Sequence, residues 1–129
     1  MVKEIDIQAA LAALPVLTDR RPNDARAGAA FARLADCGNG GVFAGRFDGD
    51  SEWERHRQGD EVVHVLAGEA ELTVLTAVGP RVLRLSAGML TVVPVDCWHR
   101  FRAPEGVTLM TVTPEPTEHS DADDPRGAA

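Results

Sequence analysis

An all-β single domain, built as an antiparallel barrel with one short N-terminal helix, is the fold class the sequence predicts, on three observations. Turn signals run from Gly38 to Gly106 at intervals of about ten residues, the spacing of an antiparallel sandwich or barrel. The runs between them are rich in Val, Leu and Thr, residue types that suit a pleated, half-buried surface. Helical patterns do not alternate with these runs, which excludes the βαβ units of a parallel sheet. The 129 residues, 44% of them hydrophobic and 26% charged, are enough for one domain with a core of its own.

Residues 1–30 read as a helix and a connector. Ile7, Leu11 and Leu14 share one helical face, Asp6 is placed to cap the first turn and Pro15 to end the helix. From Val16 to Arg26 the chain is polar and holds a proline, the composition of a connector crossing the surface. Arg20, Arg21 and Arg26 form the densest basic group. Asp19 and Asp24 dilute it, so it reads as a solvated face.

Residues 31–114 read as the barrel, with strands predicted over Val62 to Leu66, Glu71 to Ala77, Arg81 to Leu85, Leu90 to Val93 and Val107 to Val112. The turns between strands are expected at Gly38-Asn39-Gly40, Asp48-Gly49, Gly59-Asp60, Gly68, Gly79-Pro80, Gly88 and Glu105-Gly106. Residues 115–129, small, acidic and proline-bearing, read as a flexible tail that includes His119.

Composition narrows the function classes. A net charge of −7 repels polyanions, and no basic patch overrides it, so a nucleic-acid partner is not expected. No segment approaches the apolar length of a membrane span and no leader pattern opens the chain, so a cytoplasmic protein is expected. Cys37 and Cys97 share no metal-finger or redox spacing and read as reduced, small buried hydrophobes. Phosphate loops, nucleophile elbows and dinucleotide fingerprints are absent.

Two segments carry the chemistry. In the first, His56 is followed after four residues by Glu61 and after six more by Gly68. In the second, Gly88 is followed after five residues by Pro94 and then by His99. This linked set resembles the paired motifs of the cupin superfamily over about half the chain, from Trp53 to Phe101. The resemblance implies a cupin-type barrel, a double-stranded β-helix or jelly roll, that pairs into a homodimer.

It also implies a metal site made of His56, Glu61 and His99. Departures from the family pattern are Glu54 in place of the first histidine, Asp96 in place of a glycine and Ala103 in place of an asparagine. A carboxylate differs from an imidazole in reach and charge, so Glu54 stands either as a fourth ligand or as a salt-bridged carboxylate at a strand end.

Strand parity groups the rest. If His56 faces the interior, so do Glu52 and Glu54; Val63 and Val65 go with Glu61, and Phe101 goes with His99. Phe101 and Val63 are therefore the expected pocket walls. His64 falls on the opposite face as a packed or interfacial histidine, and Trp53 and Trp98 as packing or dimer-contact residues.

Two histidines and a carboxylate suit divalent iron, manganese, nickel or zinc and leave positions open for a ligand. The function expected is a metal-dependent small-molecule enzyme, an oxygenase or an isomerase. The alternative is a non-catalytic module that binds or senses a small molecule, with or without the ion.

Overall fold

The structure is a computed structural model and describes residues 2–127. In chain order its elements are α1 (Ile7–Ala12), β1 (Leu17–Arg20), the single turn α2 (Ala27–Ala30), β2 (Phe31–Cys37), β3 (Gly40–Asp50), β4 (Trp53–His56), β5 (Glu61–Thr76), β6 (Gly79–Ser86), β7 (Leu90–Val93), β8 (His99–Pro114) and β9 (Thr117–Ser120). The strands form one curled sheet. Its pairings are antiparallel except that of β1 with β3, which is parallel.

Asp6 caps α1 as expected, its Oδ1 accepting the Ala9 N–H at 2.9 Å. The other end of the helix is tied to the sheet by Arg46, which donates to the carbonyl oxygens of Leu11 and Leu14 at 2.8 and 3.2 Å. None of the described helices is long and apolar enough to cross a membrane.

Three of the expected turns are bends inside long strands. Asp48-Gly49 lies within β3, Gly68 within β5 and Glu105-Gly106 within β8. At each, the ladder shifts register and glycine takes a positive φ, +102° at Gly49, +72° at Gly68 and +95° at Gly106. Such irregularities bend and twist a strand without ending it. Each 16-residue strand, β5 and β8, therefore crosses from one half of the barrel to the other. They pair twice, Val62–Gly68 with Val107–Val112 and Glu71–Val74 with His99–Arg102.

Parity is obeyed where it was expected. Glu61, Val63 and Val65 are buried on β5 while Val62, His64 and Leu66 are only partly covered, and His99, Phe101 and Ala103 are buried on β8 while Arg100 and Arg102 are exposed. Of these, Val63, Val65, Phe101 and Ala103 form the main core with Phe47, Leu72, Val107 and Leu109.

Trp53 and Trp98 form a small separate cluster with Leu75. Arg100 lies over the Trp53 ring and Arg55 over the Trp98 ring, each at 4.4 Å. Both tryptophans are thus covered within the chain, which leaves neither for a dimer contact.

Both ends of the chain depart from expectation. Leu17–Arg20 is a strand, not a surface connector, and buries Leu17 and Arg20. Asp19 takes a φ of 50°, which breaks the two-residue alternation and turns residues three apart inward together; a period-based reading has no signal there. Beyond residue 114 the chain adds β9 alongside β4, His119 opposite Glu54 and Thr117 opposite His56. Arg55 and Arg57 hold it through Glu118, and Trp53 Nε1 donates to the Asp123 carbonyl at 3.3 Å. The cysteines also differ from expectation: Cys37, at the end of the β2–β3 hairpin, is exposed and Cys97 is half-buried.

Gly68 tests this reading. A Cβ there would overlap the Gly106 carbonyl oxygen, on top of the strain of a positive φ. Gly68→Ala is expected to lower stability by roughly 1–3 kcal/mol in urea denaturation. Gly28→Ala, whose Cβ would meet nothing within 4 Å, should leave the midpoint unchanged or slightly raised.

Candidate metal centre

Three strand ends converge at one end of the barrel. His56 ends β4, Glu61 opens β5 and His99 opens β8. Two hydrogen bonds lock the connecting loops together: the Asp96 N–H donates to the His56 carbonyl and the Val95 N–H to the Asp60 side-chain Oδ1, both at 2.9 Å. Asp96 occupies a glycine position of the motif and keeps the conformation glycine would supply, with φ at 67°, which aspartate tolerates better than most residues.

The three side chains are buried, and each offers one ligand atom within 4.8 Å of the others. His99 Nε2 lies 3.0 Å from Glu61 Oε1, and His56 Nε2 lies 3.4 Å from Glu61 Oε2. His56 Nε2 and Glu61 Oε1 are nevertheless buried without a hydrogen-bond partner.

The opposite edges of the same groups are occupied. His99 Nδ1 faces the Cys97 carbonyl oxygen at 3.0 Å, so that nitrogen is the donor and Nε2 is turned to Glu61. His56 Nδ1 meets Thr117 Oγ1 at 3.1 Å. Thr113 Oγ1 donates to Glu61 Oε2 at 2.7 Å and is itself 2.7 Å from Thr111 Oγ1. Outer partners of this kind are what orient metal-ligating imidazoles and carboxylates.

A cavity of about 450 Å³ opens above this cluster, with Glu61 on its wall. Glu52, Glu54, Phe101, Thr117 and His119 also line it. Phe101 is therefore where parity put it, with its ring edge-on to His99 at 6.5 Å between centroids. Val63 has the right parity but sits in the packed core and does not reach the cavity. Glu54 is paired in register with His99, yet its carboxylate does not join the converging atoms.

Environment separates the carboxylates. Burial would raise Glu61, but the two imidazoles beside it outweigh burial and hold its carboxyl down at about 2. At His99 burial favours the neutral ring, and the Glu61 carboxylate reverses that, raising the imidazole above its ordinary value. Burial, reinforced by the Glu61 charge, pushes the Glu54 carboxyl up. Burial of Glu52 is offset by backbone N–H groups, including that of Asn23 at 3.1 Å, and by Arg20 and His119, so its carboxyl stays low.

Residues 47–113, more than half of the chain, match the cupin domain family. The chain belongs to the cupin family. Among solved structures, protein NMB1881 from Neisseria meningitidis shares 20% identity at a TM-score of 0.62, covering 92% of this chain and all of that one (100%). A cupin-2 domain containing protein from Shewanella frigidimarina shares 22% at 0.57, covering 66% and 79%. The hydroquinone 1,2-dioxygenase PnpCD, solved with Cd2+ and 4-hydroxybenzonitrile, shares 18% at 0.56, covering 65% of this cupin and 63% of that chain. No curated protein matches the sequence significantly.

Thr117 and His119 were not expected at the site, since they follow the last apolar run and carry no strand signal. The His119 imidazole, far from idle, sits 3.1 Å from Glu52 Oε1. Arg20 was hidden in what reads as a solvated basic run.

The Glu61–His99 pair predicts how stability depends on pH in the metal-free protein. Glu61 is held below its ordinary 4.5, so its contribution is complete above pH 4.5 and is lost as pH falls towards about 2. His99 is raised above 6.5, so its contribution is complete below pH 6.5 and is lost as pH rises through the raised value. Thermal denaturation after chelation should show maximal Tm between those limits, and Glu61→Gln should flatten both flanks. An unchanged profile in that variant contradicts the pairing.

Proposed function

We propose that this cupin is a metal-dependent enzyme acting on a small molecule, with His56, Glu61 and His99 holding a divalent iron, manganese, nickel or zinc ion. One observation carries the reading: both imidazoles are engaged at Nδ1 and present Nε2 towards a shared carboxylate, while His56 Nε2 and Glu61 Oε1 stay buried and unpartnered. Buried polar atoms without partners cost about 1–3 kcal/mol each, and a cation at the point of convergence removes that cost for both.

An ion held by two imidazoles and a carboxylate keeps open positions and, when bound, supplies Lewis acidity or activates oxygen. The same donor set is that of non-haem iron oxygenases, which favours an oxygenase over an isomerase. Burial pushes the Glu54 carboxyl up on the same wall, whereas that of Glu61 is held low, as a ligand's must be. Two acids driven apart by their surroundings suit separate roles.

A non-catalytic module for binding or sensing a small molecule is the second reading. It is favoured by the Glu61–His99 contact at 3.0 Å, through which a protonated imidazole can balance the carboxylate without an ion.

Elemental analysis of tag-free protein reconstituted at neutral pH separates the two. About one equivalent of metal is expected in wild type and in Glu54→Gln, with none in His56→Ala or His99→Ala. Thr117→Val should keep the fold and weaken metal binding about tenfold, the usual effect of removing an outer partner. Wild type without metal would support the second reading.

The proposed unit is a homodimer. On the outer sheet face Val92, Val62 and Val112 stand in one cross-strand row and Leu90, His64 and Met110 in the next, with Leu90 and Val92 at least half exposed. Val92→Glu is expected to give a monomer in light scattering, with metal content unchanged.

A further inference from the structure

Arg20 is 6% exposed and sits on the cavity wall. Its guanidinium lies over the rings of Phe47 and Phe31, at 4.7 and 5.4 Å from their centroids, and both rings line the same cavity. Its Nε is buried without a hydrogen-bond partner. A guanidinium in this setting has given up water for aromatic faces, which replace only part of its hydration.

Arg20 acts on Glu52 and Glu54 through space, but no hydrogen bond joins it to the acids around it among the described residues. Glu52 accepts from the Asn23 N–H and pairs with His119. Glu61 is taken up by Thr113 and the two imidazoles, and Glu115 by Arg33. Glu54 is the remaining acid on the wall, and no ion pair joins it to Arg20 among the described residues. The other arginine of the wall is spent too: Arg33 bonds Asp36, Glu115 and the Gly40 carbonyl.

The position of Arg20 is built into the fold. Arg20 pairs with Gly49 across β1 and β3, and a Cβ on Gly49 would overlap the Arg20 backbone. Glycine at position 49 lets β1 lie close enough to seat the guanidinium under the mouth of the barrel.

We propose that Arg20 anchors the carboxylate of a small organic acid bound in this cavity, with Phe31 and Phe47 flanking the acid and the rest of the molecule extending towards Glu61. This rests on the reading that the cavity is the ligand site, and it names the ligand class. A guanidinium fork matches a planar carboxylate through two parallel hydrogen bonds. The neighbouring Glu52, Glu54 and Glu61 disfavour a dianionic phosphate, whereas a single negative charge meets Arg20, the wall arginine that has no ion pair among the described residues. The volume of about 450 Å³ lies within the range of small-molecule sites, about 300–1,000 Å³.

Calorimetric titration of the metal-reconstituted protein tests it with benzoate, its neutral isostere benzamide, and phenyl phosphate, alongside acetate and pyruvate as smaller acids. Benzoate is expected to bind about tenfold or more tightly than benzamide and than phenyl phosphate, the worth of a charge-assisted hydrogen-bond pair. Arg20→Gln should abolish that preference with metal content unchanged. Arg20→Lys, which keeps the charge and loses the fork, should retain only part of it and serves if the glutamine variant does not fold.

Equal binding of benzoate and benzamide by wild type, undiminished binding of acids by both variants, or no binding of any of the three acids would overturn the proposal. Carboxylate preference in a protein that takes up no metal would leave Arg20 as the anchor and remove the metal centre. Metal uptake without that preference would do the reverse.

Discussion

The close backbone approach of β5 and β8 at Gly68 is the constraint on which the rest of this cupin depends. Gly68 lies so near the Gly106 carbonyl that no side chain fits between, and both residues hold positive φ. There the two longest strands bend together and run on into the other half of the barrel. The bend places the start of β5 against the end of β8, where Thr113 can reach Glu61, and curls the start of β8 round to face it. Without the bend, Glu61 and His99 would stand at distant points of one flat sheet.

Once the sheet closes, electrostatics dictates much of the local design. A closed barrel makes an ionised carboxylate costly unless its charge is answered. Glu61 is answered by imidazoles and a threonine hydroxyl, Glu52 by backbone N–H groups and His119, and Arg20 by aromatic faces. The interior therefore holds several charges at fixed positions in a small volume, each with its approach direction set by a partner. Such preorganisation is what a ligand or ion meets without having to reorganise the protein.

Both chain termini contribute to this interior. β1 carries Arg20 to the wall, and β9 carries Thr117 to His56 and His119 to Glu52. The matched cupin region, residues 47–113, supplies the metal-ligand candidates but neither Thr117 nor Arg20. Arg20 and Thr117 thus reach the cavity from segments on either side of the matched region.

The linear order of residues was enough for the strand-rich class, the cap on α1, the inward faces of β5 and β8, and the grouping of His56, Glu61 and His99, because alternation and motif spacing are local or near-local properties. It misplaced three bends as turns, since a glycine of positive φ serves a hairpin and a kink alike. It passed over β1 and β9, four residues each, whose strand character comes from the neighbours they pair with and not from a pattern of their own. Val63 shows the limit of parity: facing inward does not distinguish the floor of a cavity from the core beneath it. Which inward residues meet open space, which buried charges find partners and which one is left without are properties of the closed barrel, decided by contacts between segments up to 82 residues apart.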